Sequence, residues 1–557
     1  MFVKRIIIPL LALLFSINSS AQVSPWYHHT TIYQIYPRSF YDTNGDGVGD
    51  IKGIIAKLDY IQDLGFETIW CSPFFTSPQA DFGYDISDYR DIATEYGNEN
   101  DVETLITEIH KRKMKIVFDM VMNHTSLEHQ WFKRDEAAGK TSANDFYIWK
   151  DKPNNWKSMT GGSGWHYSAK RKQYYWASFL PFQPDLNYRN PEVKKEMFDN
   201  VRFWLQKGVD GFRLDIFNVI YKDSLLRDNP FSLKMVPSET NPNGFFQKMK
   251  YTINQPESMQ FAKELRKVCN ESGDKMLIGE VSGDRKTIRK YTGDELNNGL
   301  GLVFNFEMLR FKFKAKYFYN LVKNIENTFP EPFKPVYVFS NHDRRRSIKR
   351  LKDDSQKARL LHWFQLTVRG VPCMYYGEEI GMTDARIPFK NGLDPIAQKM
   401  KKTPRFLFDM AGETPNRDEL RTPMQWNNTK NAGFSTAAKT WLPVNQNYLS
   451  INVAEESKNP NSLLNSIKDL LELRNISNSL KFGDITFLDP DALPDNVLGF
   501  NRKSGSEEIL VLLNFNKNPI DFYIYKGCKL LIKLNPEDHI NSNLVHLSPF
   551  GGMIFLN

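Results

Sequence analysis

Hydrophobic and polar positions follow two periods along the chain, one typical of amphipathic helices and one typical of buried strands. Apolar residues Ile55, Leu58, Ile61 and Leu64 fall on one helical face, and an apolar run follows at once over residues 67–70. The same succession recurs downstream and predicts strands at residues 32–36, 67–70, 115–119, 211–216, 276–281, 302–306, 336–340 and 372–376. Eight strands that alternate with helices favour a closed α/β barrel, the TIM (β/α)8 barrel, over an open parallel sheet.

Two stretches depart from this alternation. Residues 126–188 are rich in Trp, Tyr, Gly, Asn and Lys, lack a helical period and are too long for a plain connection. From about residue 482, short alternating strands and turns replace the helices. We predict a barrel over residues 22–124 and 190–478, a subdomain B inserted after the third strand over 125–189, and a C-terminal antiparallel β-sandwich domain over 479–557.

The N-terminus has the layout of a signal peptide. Lys4 and Arg5 precede an apolar run over residues 6–15, and Ser19 and Ala21 fit the small-x-small rule for cleavage. The apolar run is too short to span a bilayer, and no Cys follows the cleavage site as a lipid anchor would require. We predict a signal peptide over residues 1–21 and an exported protein, periplasmic or extracellular, without a membrane anchor.

Composition narrows the class of function. The 73 basic and 65 acidic residues are interspersed over 557 positions, and this balance argues against nucleic acid as a partner. Cys71, Cys269, Cys373 and Cys528 lie far apart, with no CxxC pair and no histidine at metal spacing, so we predict buried free thiols. With 41% hydrophobic residues, a chain of this length can bury a large core without a disulfide framework.

Polar side chains cluster where several predicted strands end. The segments 119–124, 213–215, 279–280 and 341–343 each carry carboxylate, histidine or arginine side chains. In a parallel barrel these ends share one face, where active sites are built. Hydrolysis of a glycosidic bond needs one carboxylate to attack and one protonated carboxyl to protonate the leaving oxygen, and Asp215 and Glu280 can supply this pair. Arg213, two residues before Asp215 on the same strand face, would keep that aspartate ionised, whereas Glu280 needs a raised pKa.

These segments resemble the signature regions of glycoside hydrolase family 13, the α-amylase family, over nearly the whole mature chain. The matching pieces are QIYPRSF at 34–40, GYDISDY at 83–89, DMVMNH at 119–124, QPDLN at 183–187, GFRLD at 211–215, GE at 279–280, NHD at 341–343 and RTPMQW at 421–426. The segments at 183–187 and 421–426 resemble the branch that acts on oligosaccharides, the α-glucosidases and oligo-1,6-glucosidases, rather than endo-acting amylases.

The resemblance implies a retaining double displacement without a catalytic cofactor. In it, Asp215 is the nucleophile, Glu280 the acid/base and Asp343 the stabiliser of the transition state. Further residues are implied to bind the glucose at the cleavage subsite: His124, Arg213 and His342 as polar contacts, Tyr84 as a stacking platform, and Asp81 paired with Arg421 to close the pocket. A pocket closed in this way makes the enzyme exo-acting, and a small oligosaccharide is its expected partner.

A second site is predicted in the loop 42–50. Asp42, Asn44, Asp46 and Asp50 carry oxygen ligands at alternate positions with glycines between them, as at the start of a calcium loop. No Glu follows at position twelve, so this is not an EF-hand. Many members of the family bind a structural Ca²⁺ or Mg²⁺ here, with the carbonyl at the position of Val48 as a further ligand. A metal-free turn rich in Asp and Gly is the alternative reading.

Several alternatives stay open at this stage. In this branch, Val after the nucleophile accompanies α-1,6 bonds, and a small residue or Thr accompanies α-1,4 bonds; Ile216 resembles Val, while the stretch 226–230 resembles α-1,4-acting members. We therefore lean towards isomalto-oligosaccharides and leave malto-oligosaccharides open. A transglycosylating or isomerising relative, such as a trehalose synthase or sucrose isomerase, would use the same carboxylates. A non-catalytic transporter subunit would lack them and carry a membrane anchor.

The sequence leaves two further questions undecided. The C-terminal domain is expected to pack against the barrel, with carbohydrate binding as the alternative role. The sequence predicts neither a partner protein nor an oligomeric state.

Overall fold

The computed structural model describes residues 24–140, 145–295, 298–406, 408, 414–524 and 527–557. The predicted signal peptide over residues 1–21 lies outside the described residues. Cys71, Cys269 and Cys373 are buried free thiols, as the sequence predicted. Cys528 is half-buried, so the prediction that all four are buried is wrong for this residue. Within the described part of the chain, no helix is long and apolar enough to cross a membrane.

Eight parallel strands form the centre of the molecule. In chain order they are β1 Ile32–Ile35, β2 Thr68–Cys71, β3 Lys115–Met120, β4 Gly211–Leu214, β5 Met276–Gly279, β6 Gly301–Val303, β7 Val336–Val338 and β8 Val371–Tyr375. Neighbours in the sheet run in the order β6-β5-β4-β3-β2-β1-β8-β7, and one isolated parallel bridge between Phe304 and Val336 joins the two ends. The sheet is thus a barrel, and each strand overlaps a stretch that the sequence predicted.

Helices cover the outside of the barrel, and several of them present one apolar face to the strands. In the helix Glu99–Lys111, for example, the buried residues are Val102, Leu105, Ile106 and Ile109, the set predicted from helical spacing. The α-helices of the barrel region are Ile51–Ala56, Leu58–Leu64, Glu99–Lys111, Pro191–Gln206, Pro256–Asn270, Arg285–Lys290, Ala315–Thr328, Ser347–Arg350, Ser355–Thr367, Pro395–Lys399, Val453–Lys458, Leu463–Ile476 and Asn478–Phe482. The helix Pro191–Gln206 begins as predicted, with the Asn190 side chain accepting a hydrogen bond from the backbone N–H of Glu192.

The insertion between β3 and β4 contains a small antiparallel sheet. Its strands are Trp149–Lys150, Trp165–Ser168 and Gln173–Trp176, with Gln173–Trp176 in the middle. The insertion also contains a helix, Gln130–Ala138, although no helical period predicts one there. Only Phe132 and Asp135 of its nine residues are buried, so the helix has no apolar stripe that a sequence pattern could reveal. A two-stranded ribbon, Phe75–Thr76 with Asp88–Ile92, follows β2.

The chain ends in two antiparallel sheets. In spatial order, one contains Asp484–Phe487, Val497–Ser504, Glu507–Asn514, Gly552–Leu556 and Lys529–Lys533. The other contains, also in spatial order, Ile520–Tyr523, Leu544–Leu547 and His539–Asn541. Residues of both sheets, among them Leu512 and Val545, share one apolar core. This double sheet is the predicted C-terminal β domain.

Candidate active site

Three carboxylates stand at the carboxyl ends of barrel strands. Asp215 follows β4 directly, Glu280 follows β5 directly, and Asp343 lies a few residues beyond β7. Because the strands are parallel, these ends form one rim, and the three side chains line one cavity of about 510 Å³. The cavity therefore contains the carboxylates that the sequence singled out.

Arg213 joins two of these carboxylates. Its side chain on β4 is buried, and its Nη1 donates to Oδ1 of Asp215 over 2.8 Å and to Oδ1 of Asp119 over 2.8 Å. Its Nη2 donates to Oε2 of Glu280. A single planar guanidinium group thus contacts the side chains of both Asp215 and Glu280.

Burial and nearby charges act in opposite directions on Asp215. Burial raises the pKa of Asp215, whereas the Arg213 guanidinium and His124 favour its ionised form. Burial likewise raises the pKa of Asp119, to about 7, against the same arginine. The guanidinium group is therefore the feature that supports a carboxylate at position 215 against the effect of burial.

Asp343 has a different environment. Burial raises its pKa, but His342, Arg417, Arg421 and Arg213 outweigh that effect, and the pKa of Asp343 lies well below its ordinary value. Oδ1 of Asp343 accepts from Arg421 over 2.7 Å and from Arg417 over 3.1 Å. Asp343 is consequently ionised near neutral pH, and it lines the cavity.

Tyr84 and His342 form a stacked pair beside the carboxylates. Their rings are parallel within 4° with centroids 5.3 Å apart, and Oη of Tyr84 lies 2.6 Å from Nε2 of His342. The Tyr84 hydroxyl also donates to Asp119 over 3.1 Å. His124 approaches the same tyrosine through the backbone carbonyl of Tyr84, 3.0 Å from its Nε2. Tyr84 and His124 line the cavity, as expected for residues that contact a sugar.

Other predicted contact residues lie behind the cavity wall. Arg213, His342 and Arg421 are at most 1% exposed, and each contacts a carboxylate or a ring that does line the cavity. Arg213, His342 and Arg421 therefore orient side chains that line the cavity, namely Asp215, Tyr84 and Asp343. They form the support of the site.

The expected pairing of Asp81 with Arg421 is wrong. Arg417 makes this contact instead, with its Nη2 2.6 Å from Oδ1 of Asp81. Arg421 turns inwards and donates to the carbonyl of His342 over 2.8 Å and to Asp343. Arg417 begins the 3-10 helix Arg417–Leu420, so Arg421 follows about one turn later and lies deeper in the structure.

Arg417 is therefore a site residue that the sequence interpretation missed. It contacts Asp81, Asp343 and Asp394, and so connects the ribbon after β2 to the segments after β7 and β8. The two arginines stand in one Arg-x-x-x-Arg stretch, and the spacing alone offers no means of deciding which one faces the cavity.

The loop 42–50 holds its polar side chains by internal hydrogen bonds. Oδ1 of Asp42 accepts from the backbone N–H groups of Asn44 and Gly45, over 3.1 and 2.7 Å, and Oδ1 of Asp46 accepts from that of Val48 over 2.8 Å. Asp50 caps the following helix through the N–H of Gly53. Among the residues that the structure describes, no cluster of three or more His, Cys, Asp or Glu side chains is arranged for a metal ion. The predicted metal ligands, the side chains of Asp42, Asn44, Asp46 and Asp50, nevertheless all offer oxygen atoms, which Ca²⁺ and Mg²⁺ prefer as ligands.

Comparisons with known proteins agree with this geometry. The family described as alpha amylase, catalytic domain, matches residues 34–483. An oligo-1,6-glucosidase of Parageobacillus thermoglucosidasius is 37% identical over 544 residues, which are 91% of this chain and 94% of that protein. Maltase 1 of Drosophila virilis is 37% identical over 513 residues, 88% of this chain and 78% of that protein. The crystal structure of an alpha-glucosyl transfer enzyme superposes with a TM-score of 0.86 at 34% identity, covering 96% of this chain and 100% of that one.

Proposed function

The chain belongs to the alpha-amylase family, glycoside hydrolase family 13, and on that premise we propose that it is an exo-acting retaining α-glucosidase that releases glucose from the non-reducing end of short α-glucosides. The observation that carries the proposal is the contact of Arg213 with both Asp215 and Glu280 at the rim of the barrel. In retaining enzymes the two carboxyl groups lie closer together than in inverting ones, because no water has to fit between nucleophile and sugar.

The first half of the reaction forms a glucosyl ester. The carboxylate of Asp215 attacks the anomeric carbon while Glu280 donates a proton to the glycosidic oxygen, so that the C–O bond breaks and the aglycone leaves as a neutral alcohol. The ionised Asp343 faces the same cavity and stabilises the positive charge that develops on the sugar ring.

The second half reverses the proton transfer. Glu280, now a carboxylate, takes a proton from a water molecule whose oxygen attacks the anomeric carbon, and the ester bond to Asp215 breaks. Glucose leaves with the configuration of the substrate retained. Arg213 contacts both carboxylates, so the same guanidinium group compensates negative charge on whichever of them is ionised.

The closed end of the cavity supports exo action. The ion pair between Asp81 and Arg417 joins the ribbon after β2 to the segment after β8, and both side chains line the cavity. A chain of sugars cannot pass through this connection, so only a terminal glucose reaches the carboxylates. Charged groups at this position also suit the hydroxyls of a terminal glucose.

Linkage preference is proposed at Ile216, which lines the cavity directly after the nucleophile. Its backbone is left-handed, with φ of 35°, a conformation that a β-branched residue adopts only when its surroundings hold it there. Its aliphatic side chain resembles that of Val, so we expect a preference for α-1,6-linked isomalto-oligosaccharides over α-1,4-linked ones.

The test is the initial rate of glucose release from isomaltose and from maltose under the same conditions, with all products identified. We expect glucose from both sugars and a faster rate with isomaltose. Faster release from maltose would overturn the linkage proposal and leave the glucosidase intact. New disaccharides in place of free glucose would instead support a transglycosylating or isomerising enzyme, the second candidate suggested by the likeness to the alpha-glucosyl transfer enzyme.

We also propose that the loop 42–50 binds a structural Ca²⁺ or Mg²⁺ through its side-chain oxygens and the carbonyl of Val48. The ion would lie remote from the carboxylates and would tie the loop to the segment around Ser435, whose hydroxyl donates to Asp42 over 2.5 Å. Elemental analysis of the dialysed protein and its Tm with and without a chelator test the proposal. One bound ion and a lower Tm after chelation are expected; the same Tm and no ion would mean that the loop is a metal-free turn.

Export is proposed from the N-terminal pattern at residues 1–21. Cleavage after Ala21 is the expected event. N-terminal sequencing of protein recovered outside the cytoplasm should begin at Gln22, and an intact Met1 on that protein would contradict the proposal.

A further inference from the structure

Two histidines face each other on the surface of the C-terminal β domain. His539 on the edge strand His539–Asn541 is paired directly with His546 on the strand Leu544–Leu547. Their imidazole rings stack, with centroids 4.7 Å apart and planes within 24° of parallel. Both neighbours of His546 on its strand are buried, so His546 points away from the core, and His539 is exposed. The pair therefore lies on the solvent face of the three-stranded C-terminal sheet.

Both rings are held through the same nitrogen atom. Nδ1 of His539 lies 2.8 Å from the backbone carbonyl of Glu537, and Nδ1 of His546 lies 2.7 Å from Oδ1 of Asp521. A carbonyl and a carboxylate oxygen can only accept, so Nδ1 donates in each ring. In a neutral imidazole, a proton on Nδ1 leaves Nε2 with a free lone pair. Neither Nε2 has a hydrogen-bond partner among the residues that the structure describes.

These hydrogen bonds are the ones that metal-binding histidines make. A histidine that binds a metal through one nitrogen almost always donates its other N–H to a carboxylate or a backbone carbonyl, which fixes the orientation of the ring. Two imidazole nitrogens on one tetrahedral zinc ion lie about 3.3 Å apart, since each Zn–N bond is about 2.0–2.1 Å. Rings with centroids 4.7 Å apart reach this separation by a modest tilt towards each other.

Asp521 lies in the same row of the sheet. It pairs with His546 from the strand Ile520–Tyr523, so Asp521, His546 and His539 occupy facing positions on three neighbouring strands. The backbone ladders fix this row, which makes it a property of the folded domain. The strand His539–Asn541 has only three residues and lies at the edge of the sheet. An ion bound by both histidines would link this edge strand to its neighbour.

We propose that His539 and His546 bind a divalent transition-metal ion, such as Zn²⁺, Cu²⁺ or Ni²⁺, through their Nε2 atoms, with Asp521 as a positioning residue. Imidazole suits these ions, whereas Ca²⁺ and Mg²⁺ prefer oxygen, so the site differs in chemistry from the loop 42–50. Because the described residues contain no group of three or more ligands arranged for a metal, the pair supplies two ligands and water completes the coordination. The site is open and independent of the proposed glucosidase function.

The test is isothermal titration calorimetry of the untagged protein with ZnCl₂, in the presence of excess CaCl₂ so that calcium fills the loop 42–50. We expect the parent protein to bind one zinc ion that His539→Gln and His546→Gln bind at least about tenfold more weakly. Asp521→Ala keeps both ligands but removes the acceptor of His546, and its Kd should rise about tenfold. No binding by the parent protein at millimolar zinc would overturn the proposal.

His166→Gln is the matched control. His166 is a half-buried histidine on a strand of the inserted sheet, and its ring neighbour is Tyr175 rather than a second histidine. Its replacement should leave the zinc isotherm unchanged. An unchanged isotherm in both His539→Gln and His546→Gln would place the zinc elsewhere and contradict the site. An equal loss in His166→Gln would likewise show that the binding does not depend on the histidine pair.

Discussion

Two aspartates, one half-buried at the mouth of the barrel and one buried in the C-terminal β domain, are held in opposite ways. Asp538 in the C-terminal domain is fully buried, and its oxygens accept from the backbone N–H groups of Asn535, Ser548 and Gly552 and from the Ser548 hydroxyl. Asp343 at the barrel mouth is held by Arg417 and Arg421 and still faces a cavity.

The difference separates a structural carboxylate from a functional one. Neutral donors satisfy Asp538 on all sides, and burial raises its pKa. The nearby arginines hold the pKa of Asp343 well below its ordinary value. The part of the Asp343 carboxylate that these arginines do not contact faces the cavity. Burial alone thus identifies neither kind; a carboxylate that is kept charged beside open space is the one suited to chemistry.

The largest expected effect comes from Asp215→Asn. Side-chain size is conserved while the nucleophile is lost, so kcat should fall on the order of 10⁵-fold. Circular dichroism and Tm should remain close to those of the parent protein, which serves as the control. Substantial activity in this variant, free of contaminating parent enzyme, would refute the assignment of the nucleophile.

Glu280→Gln should lower kcat on isomaltose by roughly 10²- to 10⁴-fold, because no proton reaches the leaving oxygen. The loss should be much smaller with a nitrophenyl α-glucoside, whose leaving group needs no protonation. Steady-state rates on both substrates give the comparison. An equal loss on the two would show that Glu280 is not the acid.

Arg417→Lys should act mainly on substrate binding. Lysine keeps the charge but cannot contact Asp81, Asp343 and Asp394 together, so kcat/KM should fall about 10- to 100-fold, chiefly through KM. Arg227→Lys, in a surface pair with Asp223, is the matched control and should change neither constant. An unaltered KM in Arg417→Lys would argue against a role for this residue in closing the pocket.

Asp538→Asn should have the smallest effect on activity and a clear effect on stability. The new amide N–H₂ would face backbone donors in place of an acceptor, which costs about 1–3 kcal/mol in the free energy of unfolding. Urea unfolding measures this loss, and kcat/KM at a temperature below the transition should match the parent value. A lower kcat with unchanged stability would remove the contrast with Asp343.

Much of the fold could be predicted because strand and helix periods are local properties of the sequence. The predicted strand ends put Asp215, Glu280 and Asp343 on one face, and the structure brings them to one cavity. The helix Gln130–Ala138 could not be predicted because it has hardly any apolar face.

Contacts between segments that are distant along the chain could not be predicted from the sequence. Asp81 and Arg417 are separated by 336 positions, and the choice between Arg417 and Arg421 depends on the direction of a single helical turn. The left-handed backbone of Ile216 is likewise set by tertiary packing, since a β-branched residue has no preference for it. The sequence thus predicted which residues carry the site's chemistry, but it did not predict which side chains each of them contacts.

The bridge between Phe304 and Val336 also affects how the barrel moves. Strands β6 and β7 have three residues each and meet through this single bridge, whereas β3 has six residues and long ladders with both neighbours. Local opening at this seam breaks fewer backbone hydrogen bonds than opening at β3, so we expect amide hydrogens there to exchange with solvent before those of β3. Phe306 follows β6, Asp343 follows β7, and both line the cavity. We therefore expect motion of the seam to reach the cavity through these two residues.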